Sequence, residues 1–107
     1  MDKIDHIAIQ TVSIKDSVLW YKKMFKCEIE YEDDSWALIK FENTKLALVV
    51  PDQHPPHIAI NRENIEDYGN PSKHRDGSES VYIESPDLNT FESVSYTHLT
   101  LPTTPYV

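Results

Sequence analysis

The stretch DHIAIQ at Asp5–Gln10 recurs almost unchanged as PHIAIN at Pro56–Asn61. In the first copy Ile7 and Ile9 alternate with small or polar residues that include His6, and this period of two predicts a strand with one apolar and one polar face. The second copy restarts the same pattern where a second module of the chain would begin. A repeat of this kind predicts an internally duplicated fold.

The residues after the first copy indicate one helix and three strands. Ser13 and Asp16 are typical of a helix N-cap, and apolar side chains then recur every three or four positions to about Phe25. Four large side chains of this helix are expected to serve in packing rather than in cofactor contact: Trp20, Tyr21, Met24 and Phe25. Three strand-like runs follow, separated by polar turns: Glu28–Tyr31, Trp36–Phe41 and Lys45–Val50. The first module is therefore predicted to be β-α-β-β-β.

The residues after the second copy indicate a shorter module. Arg62–Tyr68 offers only about two helical turns before a Gly-Asn-Pro sequence that breaks helices. Strands are predicted at Ser80–Glu84 and Thr90–Ser93, while a strand between Pro71 and Asp76 has weak support. We therefore predict an α+β fold of two βαβββ-type modules, the second abbreviated and short by up to one strand.

Composition and charge argue against a nucleic-acid-binding, membrane-spanning or secreted protein. A chain of 107 residues is long enough for one shared core, and a net charge of -8 without a cluster of Lys and Arg argues against a nucleic-acid partner. The longest apolar run, Leu46–Val50, is far below the roughly 20 residues of a membrane span. Cys27 is the only cysteine, and Met1–Ile4 lacks the apolar core of a signal peptide. We expect a soluble cytoplasmic protein.

The last part of the sequence has an unusual character. Val94–Thr104, which reads VSYTHLTLPTT, resembles the conceptual translation of a sequencing adapter, so residues 94–107 are interpreted as a non-native tail. His98 therefore receives no functional role. Val94–Thr97 nevertheless has enough β-propensity to extend the last strand.

Three residues of metal-ligand type stand at related places in the predicted modules. His6 and His57 lie on the first strand of each module, and Glu92 lies on the last strand. Two imidazoles and one carboxylate suit a divalent transition metal and leave coordination positions for substrate oxygens. The alternative is that the histidines are hydrogen-bonded structural residues and that Glu92 is a solvated carboxylate at a sheet edge.

Several motifs together resemble those of the glyoxalase, bleomycin-resistance and extradiol-dioxygenase superfamily, also called the vicinal-oxygen-chelate superfamily. They are IDHIAI, WYKKMF, KLALVVP, the second HIAI and DGSESVYIESPDLNTFE, and they cover about Lys3–Ser93. The resemblance implies a single domain over residues 1–93, with modules at about 1–51 and 56–93 that form a cupped mixed sheet. It also implies that His6, His57 and Glu92 are the metal ligands and that the protein is a homodimer.

The sequence departs from this family at three positions. Many lyases and epimerases of the family carry a fourth ligand, Glu or Gln, where this chain has Ala47. A set of three ligands is more similar to the extradiol dioxygenases and the fosfomycin-type thiol transferases. Leu88 replaces a family glycine, and a branched side chain strains any positive φ there. Ser85 replaces a family aspartate.

The resemblance implies a metal-dependent lyase, isomerase or extradiol-type dioxygenase that chelates two oxygens of a small molecule. The ion, Fe, Mn, Ni, Zn or Mg, would act as a Lewis acid, and Glu92 would also serve as a catalytic proton acceptor. Arg75 would attract an anionic group of the substrate, and His54 suits the rim of the site better than a place among the ligands. The alternative is a non-catalytic module that sequesters a drug or another small molecule.

Overall fold

The computed structural model describes residues 1–62, 72–73 and 78–95. These residues form eight strands and one helix, and the chain divides into two compact units: Met1–Asp5 with His57–Val107, and His6–Pro56. In the described part of the chain, no helix has the length and apolar character that a membrane span requires.

The unit His6–Pro56 contains the elements of the first predicted module. Its strand order is β2-β3-β4-β1, with β1 parallel to β4 and the other neighbours antiparallel. A β-α-β-β-β order of this kind requires that the helix return the chain from β1 to the far edge of the sheet. The elements are β1 Lys3–Gln10, α1 Ile14–Met24, β2 Glu28–Glu32, β3 Trp36–Lys40 and β4 Lys45–Val49.

Helix α1 begins and ends as its sequence predicts. The Ser13 hydroxyl accepts a hydrogen bond from the backbone N–H of Asp16 at 3.3 Å, and this satisfies one of the donors that a helix N-terminus leaves open. Two of its side chains, Ile14 and Val18, are buried in a core cluster that Ala37, Ile39 and Leu48 complete. Burial of each large aliphatic side chain contributes about 1.5–3 kcal/mol, so this contact fixes one face of the sheet against the helix.

The large side chains at the end of α1 differ in burial. Tyr21 packs against the core cluster, as expected of a packing residue. Trp20, Met24 and Phe25 are each about half exposed and lie outside the buried core. The ring of Phe25 contacts those of Trp20 at 5.8 Å and Phe41 at 6.1 Å, so these aromatic side chains pack against one another.

The unit that contains His57 repeats the plan of strands. Its elements are β5 His57–Asn61, β6 Ser72–Lys73, β7 Glu79–Glu84 and β8 Thr90–Ser95, in the order β5-β8-β7-β6. Strand β5 is parallel to β8 and the other neighbours are antiparallel, as in the first unit. The α+β fold class is therefore confirmed, and among the described residues each unit has four strands. The weakly supported strand does form, as the two residues of β6, whereas the helix predicted at Arg62–Tyr68 lies, after Arg62, outside the described residues.

Strand β8 continues into the stretch that we interpreted as a non-native tail. Val94 and Ser95 belong to the strand, and Val94 is buried and pairs with Ser80 of β7. The β-propensity of valine and its pairing on both sides, with Ser80 of β7 and Asn61 of β5, explain this extension. The rest of that stretch, residues 96–107, lies outside the described residues.

Candidate metal centre

His57 and Glu92 meet on neighbouring strands of one sheet. Glu92 of β8 is in register with Ala59 of β5, and His57 precedes Ala59 by two residues, so both side chains point to the same face. The Nε2 atom of His57 lies 3.4 Å from Oε1 of Glu92, and both side chains are completely buried. The parallel pairing of β5 and β8 thus places the predicted imidazole and the predicted carboxylate side by side.

Burial of this pair carries an energetic cost when Glu92 is ionised. A buried carboxylate is strongly disfavoured unless a positive charge compensates it, and a neutral imidazole supplies no such charge. The distance of 3.4 Å is also longer than the 2.7–3.2 Å that is typical of an N–H···O hydrogen bond. A cation bound between the two groups would compensate the charge of the buried carboxylate.

His6 belongs to the same group of ligand atoms. It lies on β1 directly after the segment Met1–Asp5 and is buried, with 2% of its surface exposed. One nitrogen of His6, one nitrogen of His57 and one carboxylate oxygen of Glu92 all lie within 4.8 Å of one another. The structure therefore brings together all three residues that the sequence indicated as ligands.

The chemistry of these donors fits a divalent transition metal. Nitrogen and carboxylate donors lie about 2.0–2.2 Å from such an ion, so two donors on one ion are at most about 4.4 Å apart. The His57–Glu92 distance of 3.4 Å is within this limit, and the 4.8 Å span of the whole group exceeds it only slightly. A cation would also neutralise the buried charge of Glu92. The residues present thus fit the predicted ion.

Alanine stands at the position where the family resemblance would place a fourth ligand. Ala47 of β4 is in register with Ala8 of β1, just as Glu92 of β8 is in register with Ala59 of β5. The repeated HIAI sequence makes Ala8 and Ala59 equivalent, so Ala47 stands at the place of Glu92 in the other module. Its buried methyl group offers no donor atom.

Tyr82 is a member of this site that sequence reasoning missed. It lies on β7 directly opposite Glu92 of β8, and side chains of directly opposed residues share a face of the sheet. Its ring centroid is 5.5 Å from that of His57, with the two planes at 89°. Only the register of β7 against β8 reveals this neighbour, and no motif in the sequence gives that register.

His54 and Arg75 stand apart from the group of ligand atoms in different ways. His54 follows the turn after β4, where its carbonyl accepts a hydrogen bond from Nε2 of Gln10 at 3.0 Å. Among the described residues, the group of possible ligands includes His6, His57 and Glu92 and does not include His54. Arg75 lies outside the described residues, so its role in substrate binding stays a prediction.

The turn before β8 shows both departures from the family pattern. Leu88 has φ 65°, so the strained left-handed conformation that its sequence position suggested is present. The Ser85 hydroxyl replaces the family carboxylate and donates to the side chain of Asp87, which lowers the pKa of that carboxyl. The Ser85 N–H also bonds to the Asn89 carbonyl at 2.9 Å. The turn thus closes with the residues present and leaves β8 in register.

Known proteins were compared with the chain by sequence and by structure. No protein-family model and no curated protein matches the sequence. Similar solved structures include a hypothetical protein from Bacillus halodurans, with 20% identity, a TM-score of 0.73 and coverage of 94% of this chain and 98% of that one. A variant of methylmalonyl-CoA epimerase from Streptomyces coelicolor, bound to 2-nitronate-propionyl-CoA, has 17% identity, a TM-score of 0.71 and coverage of 94% and 98%.

A further similar structure carries the name of the superfamily itself. It is a glyoxalase/bleomycin resistance protein/dioxygenase superfamily member from Vibrio splendidus, with 9% identity, a TM-score of 0.67 and coverage of 89% of this chain and 99% of that one. Identities this low establish a common fold and leave the reaction open. The chain therefore has the fold of the glyoxalase, bleomycin-resistance and extradiol-dioxygenase superfamily, as its sequence motifs implied.

Proposed function

We propose that this chain is a metal-dependent protein of the vicinal-oxygen-chelate type, which binds one divalent ion through His6, His57 and Glu92 and acts on a small oxygenated molecule. The observation that carries the proposal is the group of three buried side chains whose ligand atoms lie within 4.8 Å of one another. The burial of Glu92 beside two imidazoles supports a cation as the compensating charge.

The residues of the site have separate roles in this proposal. A bound divalent ion would supply Lewis acidity toward two adjacent oxygens of the substrate. His6 and His57 hold the ion as neutral imidazoles, and Glu92 adds the negative charge that favours a divalent cation. Glu92 is also the proposed proton acceptor, because a carboxylate beside a Lewis-acidic ion is a suitable general base for a proton of the bound substrate.

The similar structures support a small-molecule substrate. Methylmalonyl-CoA epimerases among them were solved with 2-nitronate-propionyl-CoA and with methylmalonyl-CoA. We propose for this chain an oxygenated substrate that binds through two oxygens, with a lyase, isomerase or extradiol-type dioxygenase reaction. Fe, Mn, Ni, Zn and Mg are all compatible with two imidazoles and one carboxylate.

A second candidate function is a non-catalytic module of the same fold that binds a small molecule without metal. The observation that favours it is Ala47, which places a methyl group where the epimerases and lyases of the family have a ligand. In that case the buried contact between His57 and Glu92 would be purely structural.

Metal analysis separates the two candidates. Protein prepared without chelator is expected to contain about one equivalent of a divalent ion, and the His57→Ala variant is expected to lose it. His54→Ala is the matched control, since it removes an imidazole outside the ligand group and is expected to keep the ion. Wild-type protein that takes up no ion from Fe, Mn, Ni, Zn or Mg solutions would refute the metal-dependent function and favour the binding module.

We also propose that the chain forms a homodimer in the cytoplasm. The resemblance to the superfamily supports the dimer, and the single cysteine, Cys27, supports a reducing compartment. Light scattering at micromolar concentration is expected to give twice the mass of 12.4 kDa. A monomer mass at that concentration would contradict the dimer.

A further inference from the structure

Tyr82 occupies a special place among the residues around the candidate ligands. It is the cross-strand neighbour of Glu92 on β7, and its ring lies edge to face against the imidazole of His57 at 5.5 Å. Tyr82 therefore contacts one candidate ligand and stands opposite another. It belongs to the same compact unit as both of them.

The exposure of Tyr82 differs sharply from that of its neighbours. The side chains of His57 and Glu92 are completely buried, whereas Tyr82 is 41% exposed. Tyr82 is thus the more exposed neighbour of two buried polar groups on the same face of the sheet. Exclusion of water strengthens the interaction of a carboxylate with a cation, because the local dielectric constant falls.

The contact of Tyr82 with His57 also restricts the orientation of the imidazole ring. A histidine ligand requires a defined ring orientation, and neighbouring groups usually provide it. Centroid distances of 4.5–7 Å with perpendicular planes are the preferred geometry for aromatic pairs, and this pair is within that range. Rotation of the imidazole about its χ2 angle would lose this contact.

We propose that Tyr82 is a positioning residue, whose ring fixes the orientation of the His57 imidazole and shields the His57–Glu92 pair from water. This inference rests on the proposed metal-dependent function. The contact that supports this role is made by the aromatic ring. The equivalent position in the other module supports a special role, because Leu38 of β3 pairs there with Ala47, and neither residue has a polar group to position.

Two variants of Tyr82 and one control test the role of the ring. Tyr82→Phe keeps the ring, while Tyr82→Ile removes it and retains a side chain that favours strands. Tyr31→Ile is the control, since it removes a tyrosine ring that stacks on Trp36 in the other module. Each protein is titrated with Co²⁺, whose visible absorption band reports the geometry of its ligands. The imidazole resonances of His57 are recorded by NMR in the metal-free proteins.

We expect Tyr82→Ile to bind Co²⁺ about 3- to 10-fold more weakly, because an imidazole without the aromatic contact must be ordered when the ion binds. Its Co²⁺ band and its metal-free His57 resonances should also shift, and a chelator should remove the ion faster. Tyr82→Phe and Tyr31→Ile should behave as the wild type does.

Each contrary result points to a different failure. If Tyr82→Ile keeps the affinity, the band and the His57 resonances of the wild type, the positioning role is overturned while the metal site stands. The same conclusion follows if Tyr82→Phe is as impaired as Tyr82→Ile, because the hydroxyl would then be the active group. If wild-type protein shows no Co²⁺ band, the proposed function fails and the positioning role fails with it.

Discussion

Strands β4 and β8 occupy the same place in their respective modules, each parallel to the first strand and antiparallel to the third. The residues at their equivalent central positions nevertheless differ in kind. In the first module Ala47 lies between Ala8 and Leu38, and all three are apolar and buried. In the second module Glu92 lies between Ala59 and Tyr82.

This difference shows that the two modules share one backbone topology but do not contribute the same number of possible metal-ligand side chains. The repeated HIAI strands each contribute one histidine, but the last strands contribute one carboxylate and one methyl group. Hydrogen bonding between strands is independent of side chains, so the register tolerates either residue. The asymmetry of the candidate site therefore comes from side chains at equivalent positions and not from different topology.

Removal of the carboxylate from the second module should have the largest effect on metal affinity. Glu92→Gln preserves the side-chain volume but replaces a charged oxygen donor with a neutral amide. We expect the affinity for Co²⁺ or Zn²⁺ to fall by about 100-fold or more, since outer partners of ligands alone account for 10- to 100-fold. Isothermal titration calorimetry measures this loss. Glu84→Gln, an exposed residue of β7, is the control, and equal losses in both variants would contradict a ligand role for Glu92.

Addition of a carboxylate to the first module tests the same comparison through the stability of the protein instead of its metal affinity. Ala47→Glu places an oxygen donor at the position equivalent to Glu92. We expect the metal-free protein to lose about 3–5 kcal/mol of unfolding free energy, because the new carboxylate is buried without a partner. Added metal should restore part of that stability, as measured by thermal melts with and without Zn²⁺.

The control for this substitution is Ala37→Glu. Ala37 is also completely buried, but it lies in the core cluster against the helix rather than on the face of Ala47. We expect Ala37→Glu to be equally destabilised and to show no restoration by Zn²⁺. Equal responses of the two variants to the ion would show that Ala47 does not stand at a ligand position.

The sequence predicted the plan of the modules well because local patterns determine it. Alternation in Ile4–Gln10, the N-cap Ser13 and the apolar spacing of α1 each depend on residues close together in the chain. The repeat of HIAI also identified His6 and His57 as equivalent, and their ligand atoms do lie in one group with Glu92. These features required no knowledge of long-range register.

The sequence could not predict features that depend on register or on exposure in the folded chain. Tyr82 alternates with Val81 and Ile83 like any strand residue, and only the pairing of β7 with β8 brings it opposite Glu92. The sequence alone also does not show how exposed Trp20 and Met24 are. Helical spacing shows which residues share a face, but not how far along that face the sheet extends.

The turn before the last strand of the second module should make a smaller difference to stability, because one of its residues has a strained backbone. Among the described residues, Leu88 is the only non-glycine residue with positive φ, and it lies in the turn between β7 and β8. We expect Leu88→Gly to raise the unfolding free energy by about 1 kcal/mol, because glycine adopts this conformation without a Cβ clash. Urea denaturation measures the change, and metal affinity should be unaltered.

Leu88→Ala serves as the control for this strain. Leu88 is 77% exposed, so truncation to alanine removes little packing while it keeps the Cβ atom that causes the clash. We expect no gain in stability for this variant. A gain as large as that of Leu88→Gly would show that the side chain, and not the backbone conformation, is the source of the effect.

Asp33, in the turn between β2 and β3, should make the smallest of these contributions to stability, and that contribution depends on pH. Burial raises the pKa of Asp33, but hydrogen bonds from the side chains of Tyr31 and Ser35 and from the backbone of Ser35 and Trp36 outweigh it and lower the pKa from 3.8 to about 2. Asp33 therefore contributes stability that is present above pH 3.8 and is lost as the pH falls toward about 2.

Asp33→Asn removes this dependence, because the amide does not titrate. The difference in unfolding free energy between wild type and Asp33→Asn should therefore be largest above pH 3.8 and should shrink as the pH falls, by a small amount because Asp33 is exposed. Tyr31→Phe deletes one donor and should raise the pKa of Asp33, which carboxyl NMR measures directly. An NMR pKa near 3.8 in the wild type would show that the hydrogen bonds of this turn do not persist in solution, and the variant difference would then lose its pH dependence.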